Sequence, residues 1–203
     1  MAGKNTPDAK NRILQAAIKI FAAKSFEGSR IDEIAQEAKV PKSLIYYHFK
    51  SKDEILEVLM QGFIDEYSEL VRIAESDTHQ KKAEEMSDRL QHYYRDFAMR
   101  NTDLIRVILM DSLKKSTERP IIYKFVETMV DTEAKFAVTG DVEKIDRNER
   151  LVAEFFTGII PTYAYLCFAD SWIRYFGMER KDFDKLFFKI LTATHGAYHK
   201  NHE

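Results

Sequence analysis

The chain has 203 residues, enough for one domain or two small ones, and its composition is 45% hydrophobic and 32% charged, which excludes general disorder. Glycine (7) and proline (4) are scarce, which argues against a mainly β fold because such folds need frequent turns. The net charge is −2, but residues 1–52 hold ten Lys and Arg against five Asp and Glu, whereas the remainder is acidic. This asymmetry fits a small module that meets a polyanion, or a chance scatter of charge.

The sequence also bears on the compartment. A single cysteine, Cys167, excludes an intramolecular disulfide framework and suits a reducing compartment. The first residues have no apolar core, so we expect no signal peptide. The longest uncharged stretch, residues 155–169, is shorter than the roughly 20 residues that cross a bilayer. We therefore expect a cytoplasmic protein with no membrane partner.

The N-terminal elements follow from apolar spacing and helix-start signals. Apolar residues at three-to-four spacing predict a first helix over about 8–25. Ser29 with Asp32 is typical of the start of a second helix, over about 30–38. Pro41 fits the first position of a short third helix, over about 41–47. A second start signal at residues 51–54 opens a long helix that reaches about residue 75.

The rest of the chain also reads as helix. Periodicity predicts further helices near residues 79–100, 103–114, 118–138, 145–176 and 182–199. We therefore expect an all-α fold of about nine helices. A helix-turn-helix domain over residues 1–52 is expected to join a helical bundle over residues 53–203.

The second and third predicted helices, with the tight turn between them, have the spacing of a helix-turn-helix. Ile45 and Phe49 can anchor the third helix, while Tyr46 and Tyr47 fall on its other side. Lys42 lies at the N-terminal tip, where the helix dipole favours an anion. Similar short helix pairs occur in other helical bundles, so the spacing alone leaves a purely structural role open.

Residues 12–56, RILQAAIKIFAAKSFEGSRIDEIAQEAKVPKSLIYYHFKSKDEIL, resemble the N-terminal domain of tetracycline-repressor-like (TetR family) transcription regulators. The resemblance is dense and ungapped, and it covers about a quarter of the chain. It is carried by Ile13, Ala16, Ala17, Phe21, Phe26, Ile34, Ala35, Ala38, Val40, Tyr46, His48, Phe49, Lys52 and Leu56. Ser25 and Lys39 stand where the family often has glycine, and Pro41 replaces the usual polar cap. If Lys39 needs a positive φ, its side chain costs about 1 kcal/mol.

The resemblance implies a set of DNA contacts on and around the third helix. The residues that it places there are Arg30, Lys42, Ser43, Leu44, Tyr46, Tyr47, His48 and Lys52. Leu44 can contact a thymine methyl group or pack inward. A packed core aromatic remains the alternative for Tyr46, and a structural histidine the alternative for His48. We expect Tyr46→Ala and Lys52→Ala to weaken operator binding while the melting temperature stays nearly unchanged.

Aromatic and methionine residues are dense in the second half of the chain, and core packing is the default interpretation for any one of them. The resemblance implies a small-molecule pocket in this domain, and such pockets are mostly apolar. Candidate ligand contacts near the middles of different helices are Phe97, Met110, Met129, Phe155 and Tyr163. We expect an apolar or aromatic effector.

The last two long helices carry more apolar surface than one core needs. The helix over 145–176 has two apolar stripes, and the helix over 182–199 has coiled-coil-like spacing. Together they suggest a two-fold, four-helix dimer interface. Its candidate residues are Leu151, Phe155, Phe183, Phe187, Ile190 and Thr194.

No catalytic signature such as GxSxG, HExxH, a P-loop or GxGxxG is present in the sequence. His195 and His199 are four residues apart, with His202 after them, so one helical face could present two imidazoles to a metal. A frayed polar tail is the favoured interpretation of this segment. We therefore expect no catalytic residues, no metal and no cofactor.

The resulting hypothesis is a homodimeric, ligand-responsive transcription regulator that acts as a repressor on palindromic operator DNA. A helical enzyme or metal-binding protein that retains a helix-turn-helix fold is a second hypothesis. A protein-interaction module without DNA binding is a third, and the basic N-terminal quarter counts against it.

Overall fold

The computed structural model describes residues 9–76, 94–114, 120–136 and 146–200. Within these ranges the regular structure is helical, without strands, and forms nine helices, which confirms the all-α prediction. They are α1 (Ala9–Gly28), α2 (Ile31–Ala38), α3 (Lys42–His48), α4 (Lys52–Ser76), α5 (residues 94–100), α6 (Thr102–Ser112), α7 (Ile121–Phe136), α8 (Arg147–Phe176) and α9 (from Arg180 to Lys200).

The predicted helices agree with these bounds to within a few residues. The exception is the helix predicted over 79–100, of which only residues 94–100 lie within the described part of the chain. The chain divides into two compact units. The first comprises Met1–Asp65 with Asp103–Ile121, and the second comprises Glu66–Thr102 with Ile122–Glu203.

The first unit has a core of aliphatic and aromatic side chains from short and long helices. Among the described residues of this unit, those with no exposed surface are Ile13, Ala17, Phe21, Ile34, Ile45, Ile55 and Ile105. Burial of such side chains is the main stabilising contribution, at roughly 1.5–3 kcal/mol for each large one. Ile45 is the buried residue of α3, so the short helix is anchored on one side only.

The second unit is built around packed aromatic rings. The Tyr67 ring lies 5.9 Å from that of Phe97 and 5.0 Å from that of Phe125, and Phe125 lies 6.4 Å from Tyr163. Edge-to-face and tilted arrangements at these distances are favourable. Burial, with a smaller contribution from Tyr94, raises the pKa of Tyr163 well above its ordinary value.

Helix α8 is long and apolar enough, by length and composition, to cross a membrane. A core helix of a soluble protein meets the same criteria. Here Ala153, Gly158, Ile159, Tyr163 and Ala169 are buried in the second unit, whereas most other residues of α8 are not buried.

Both α8 and α9 contain a π-helical segment. In α8 the π segment is Glu154–Ile159, and in α9 it is Thr192–Gly196. The two segments contact each other. A π turn has one more residue than an α turn, and such turns occur often at functional sites.

Among the described residues, two other than glycine adopt a positive φ. Lys39 has φ 54° and ψ 49°, so the residue in the turn after α2 is in the left-handed conformation, and the cost of about 1 kcal/mol for its side chain applies. Ser25 has φ 65° and ψ 164°, a region occupied almost only by glycine, and it interrupts the last turns of α1.

Candidate nucleic-acid interface and neighbouring sites

The turn between α2 and α3 is closed by backbone hydrogen bonds. The Lys39 N–H donates to the Gln36 carbonyl at 3.2 Å, and the Val40 N–H donates to the Ala35 carbonyl at 3.0 Å. Pro41 then precedes α3 with φ −61°, and its carbonyl accepts from the Leu44 N–H at 2.9 Å. The left-handed Lys39 therefore satisfies the last carbonyls of α2 and redirects the chain into α3.

The start of α2 differs by one residue from the prediction. The Glu33 carboxylate accepts from the Arg30 N–H at 3.0 Å, so Arg30 is the N-terminal cap position. The buried Ser29 hydroxyl instead donates to the Phe26 carbonyl at 2.6 Å. Ser29 thus ties the end of α1 to the start of α2.

Helix α3 presents an exposed polar and aromatic face. Ile45 and Phe49 are buried, whereas Tyr46 is 52% exposed and Tyr47 is 81% exposed. This exposure excludes the core-aromatic alternative for Tyr46. Lys42 and Ser43 are also exposed, while Leu44 and His48 are half-buried. The exposed face has the residue types that contact bases and phosphates.

The lysine on this face forms an ion pair with α2. Lys42 Nζ lies 2.7 Å from the Asp32 carboxylate and 6.0 Å from the centre of the Tyr46 ring. The hydrogen bond to Asp32 raises the pKa of Lys42, so its ammonium is charged at neutral pH. Both side chains are exposed, and exposed ion pairs are weak in water. Asp32 therefore does not prevent Lys42 from turning to a phosphate.

Lys52 is placed differently from the expectation. Its ammonium donates to the Phe26 carbonyl at 2.5 Å and to the Ser29 carbonyl at 3.0 Å, and it lies 4.3 Å from the centre of the Phe26 ring. These contacts join the start of α4 to the end of α1. Removing the side chain also removes these bonds, so we correct the expectation that Lys52→Ala leaves the melting temperature unchanged.

The five candidate ligand contacts do not form one group. Met110 belongs to the first unit, where it lines a cavity of about 40 Å³ with Phe21, Val107 and Lys114. The other four belong to the second unit. In that unit Phe97, Met129 and Tyr163 are buried, and Phe155 is half-buried beside the rings of Tyr123 and Phe156.

The candidate interface residues on α8 and α9 fall into two kinds. Ile190 and Thr194 are exposed and line a groove of about 290 Å³. Phe183 and Phe187 are half-buried, with their rings 5.9 Å and 4.6 Å from that of Tyr165. Leu151 and Phe155 are also half-buried. Large apolar residues that α8 and α9 leave exposed are Val152, Phe156, Phe168, Trp172, Tyr175, Phe176, Leu186 and Ile190.

His195 and His199 lie in α9 and pack against α8, so the frayed-tail interpretation of these two residues is wrong. Both side chains are half-buried, and both approach the buried carboxylate of Glu154. Burial opposes ionisation of Glu154, but the hydrogen bond and charge of His199 lower its pKa overall. Burial lowers the pKa of His195, against the attraction of Glu154. His202 lies outside the described residues.

Comparison with known proteins identifies the N-terminal region. The profile described as "Bacterial regulatory proteins, tetR family" matches residues 13–59. YerO of Bacillus subtilis (strain 168), an uncharacterised HTH-type transcriptional regulator, is 26% identical over 148 residues, which is 72% of this chain and 47% of that protein. HbdR of Aromatoleum sp. (strain CIB), an HTH-type transcriptional regulator, is 36% identical over 77 residues, covering 37% of this chain and 34% of that protein. Each alignment spans less than half of the relative's length.

Solved structures share the fold over most of the chain. A TetR-like transcriptional regulator from Rhodococcus sp. RHA1 has a TM-score of 0.62 at 14% identity, covering 94% of this chain and 96% of that one. The transcriptional regulator FadR from Bacillus subtilis, in complex with stearoyl-CoA, has a TM-score of 0.61 at 17% identity, covering 89% and 96%. At these identities the likeness shows the fold.

The helix-turn-helix of α2 and α3 lies within the residues that match this profile of bacterial regulatory proteins. The chain is therefore similar to TetR-family regulators in the sequence of its N-terminal region and in its fold.

Proposed function

We propose that the protein is a homodimeric repressor that binds a palindromic operator and is released by a hydrophobic or aromatic small molecule. Residues 1–52 act as the DNA-binding domain, and residues 53–203 bind the effector and form the dimer. The observation that carries the proposal is the α3 face, where Lys42, Tyr46 and Tyr47 project from a helix anchored by Ile45.

The α3 face enters the major groove and reads one half-site. Tyr46 and Ser43 contact base edges or the backbone, and Lys42, Tyr47 and Arg30 contact phosphates. Leu44 and His48 are half-buried, so they act at the edge of this surface. Lys52 supports the surface through its two carbonyl bonds to the end of α1.

Dimerisation uses the apolar surface of α8 and α9. The exposed side chains of Phe156, Phe168, Trp172 and Ile190 form a surface of the kind that is covered in an oligomer. A two-fold axis would place α8 and α9 of one protomer against the same helices of its partner. A dimer then presents two α3 helices to the two half-sites.

The effector is expected to bind in the second unit, where Phe97, Met129, Phe155 and Tyr163 lie. An apolar lining with a few polar groups suits a hydrophobic ligand, and Met129 adapts to different ligand shapes. FadR, which shares this fold, was solved with stearoyl-CoA, so a long-chain acyl-CoA is a rational first probe.

The mechanism is a two-state equilibrium between a DNA-competent and a ligand-bound arrangement. In the first state the two α3 helices match the spacing of the half-sites, and in the second they do not. A 100-fold loss of operator affinity requires only about 2.7 kcal/mol of coupling between the two sites.

The test compares two exposed lysines that both pair with acidic residues of α2. Lys42 pairs with Asp32 and lies on α3, whereas Lys19 pairs with Glu37 and lies on α1. Operator DNA selected in vitro is titrated with each alanine variant over a range of salt concentrations. We expect Lys42→Ala to weaken binding about ten-fold or more and to reduce the salt slope by about one per half-site, because a phosphate contact is lost.

Lys19→Ala is expected to bind operator with the affinity and the salt slope of the wild type. Equal affinities for Lys42→Ala and wild type at matched salt would rule out the α3 docking surface. A wild-type protein that binds no DNA sequence at low salt would rule out the function itself.

A further inference from the structure

Three residues from two helices bring their donor groups together in the second unit. The Nε2 atom of His199 lies 3.1 Å from Glu154 Oε1, and the Nε2 atom of His195 lies 3.5 Å from Glu154 Oε2. The two Nε2 atoms are 3.3 Å apart. A tetrahedral zinc ion with bonds of about 2.0–2.1 Å to nitrogen and oxygen holds neighbouring donors about 3.3 Å apart. The two nitrogens therefore have the spacing of two corners of such a site, and each lies at a similar distance from one oxygen of the Glu154 carboxylate. One donor atom can be taken from each of the three residues so that all three lie within 4.8 Å of one another.

Thr157 fixes the orientation and the tautomer of His195. The Thr157 hydroxyl donates to the Ala153 carbonyl at 2.7 Å, so its oxygen is left to accept from the His195 Nδ1 at 2.9 Å. With the proton on Nδ1, the lone pair of Nε2 points toward Glu154 and His199. A metal-bound histidine characteristically donates its second ring N–H to a neighbouring oxygen in this way.

The carboxylate opposite this lone pair is almost fully buried, because Glu154 is 3% exposed. A buried carboxylate and an imidazole lone pair that face each other at 3.5 Å repel unless a proton or a cation lies between them. His199 can supply one proton to this pocket, to Glu154 or to His195. A bound cation satisfies all three donors together.

The backbone is shaped to admit the His195 ring. A Cβ atom at position 158 would lie 2.7 Å from the Cε1 atom of His195, so only glycine leaves room for the imidazole. Glu154, Thr157 and Gly158 lie in the π segment of α8, and His195 lies in the π segment of α9.

We propose that Glu154, His195 and His199 bind one divalent transition-metal cation of the zinc class, which joins α8 to α9. Two imidazoles and one carboxylate are the donor set of such ions, and hard cations such as Mg²⁺ prefer oxygen ligands alone. Three protein ligands leave one position of a tetrahedral ion for water or for a donor atom of a small molecule. The proposal does not depend on the repressor function.

The full-length chain is stripped of metal, titrated with ZnCl₂ and measured by calorimetry and by elemental analysis after dialysis. We expect one zinc ion per chain and at least a 100-fold loss of affinity in His199→Ala, the ligand nearest the chain end. Thr157→Val, which removes only the partner of His195, is expected to lose about 10- to 100-fold. Glu179→Gln, at the exposed start of α9, is the matched control for Glu154→Gln and is expected to bind zinc as wild type does.

The melting temperature provides a second readout. Zinc at 100 times its dissociation constant should raise the melting temperature of the wild type by about 5 °C or more, and should not raise that of His199→Ala. If Glu154→Gln does not fold, His199→Ala and Thr157→Val decide the question. Zinc binding with unchanged stoichiometry and affinity in His199→Ala overturns the proposal. Failure of the wild type to bind Zn²⁺, Co²⁺ or Ni²⁺ at micromolar concentration also overturns it.

Discussion

The backbone of Ser25 is held in a conformation that costs energy for any residue with a side chain. With φ 65° and ψ 164° it lies in a region where a residue other than glycine is destabilised by about 1–3 kcal/mol. The Ser25 hydroxyl offsets part of this cost, because it accepts a hydrogen bond from the Gly28 N–H at 3.3 Å. The strained turn determines the conformation of the end of α1. Both Ser29 and Lys52 donate hydrogen bonds to the Phe26 carbonyl there.

We expect Ser25→Gly to stabilise the protein. Relief of backbone strain exceeds the greater chain entropy of glycine, so the net gain is about 1 kcal/mol and the melting temperature rises by about 2–4 °C. Ser25→Ala is the control, because it keeps the strain and loses the bond to Gly28, and it should melt below the wild type. A lower melting temperature for Ser25→Gly would show that the hydroxyl outweighs the strain.

Lys52→Ala is expected to destabilise the protein as well as weaken operator binding. Without the ammonium, the Phe26 and Ser29 carbonyls each lose a charged donor, which costs about 1–3 kcal/mol and lowers the melting temperature by about 3–8 °C. The exposed neighbour Lys50 is the control, and Lys50→Ala should melt within about 1–2 °C of the wild type. Equal melting temperatures for the two variants would show that the carbonyl bonds add no stability.

The sequence was informative about residue types and less so about their partners. Apolar spacing identified the buried residues Ile45 and Phe49 and the exposed Tyr46 and Tyr47 correctly. The partners of Lys52 could not be predicted, because its bonds join it to residues 23 and 26 positions earlier. Only the packing of α4 against the end of α1 brings those groups together.

Helices α8 and α9 show what sequence periodicity can and cannot predict about a helix. Their extent was predicted to within a few residues, but neither π segment was. In a π turn the backbone hydrogen bonds span five residues instead of four, which lets one helix fit against its neighbour. The cause of the turn therefore lies in packing rather than in local propensity. The carboxylate that joins the two histidines was not predicted from the sequence for the same reason. Spacing paired His195 with His199, but Glu154 comes from another helix.

The exposed face of α9 gives the sharpest test of assembly. Ile190 is 62% exposed in the monomer, so Ile190→Asp should leave the monomer folded. In a dimer interface the same carboxylate would be buried without a partner, at a cost of several kcal/mol. We therefore expect sedimentation to show a wild-type dimer and an Ile190→Asp monomer at micromolar concentration.

The control for this variant is Leu113→Asp, at a residue of the first unit that is 83% exposed, and it should remain dimeric. Phe187→Asp is a poorer probe, because Phe187 packs on Tyr165 within the chain and its loss would disturb the protomer. A wild-type monomer, or an Ile190→Asp dimer of unchanged affinity, would contradict the interface.

The proposed repressor function requires that a ligand in the second unit controls DNA binding by the first unit. A screen of hydrophobic compounds that includes stearoyl-CoA should find a ligand that raises the melting temperature and releases the operator. Met129→Trp places a larger side chain at a buried position and should bind operator but fail to respond. Met99→Trp, at an exposed methionine of the same unit, should respond normally. The pocket assignment fails if Met129→Trp responds as wild type does.

The close approach of Gly158 to His195 has a consequence for related sequences. Because a methyl group at position 158 would overlap the imidazole, the two positions cannot vary independently. Among relatives that share α8 and α9, glycine at 158 should accompany histidine at 195, and alanine or larger residues at 158 should appear only where 195 carries a smaller side chain. Aligned homologues can reveal this covariation without any experiment on the protein. Relatives that combine a large residue at 158 with histidine at 195 must separate the two helices at this point.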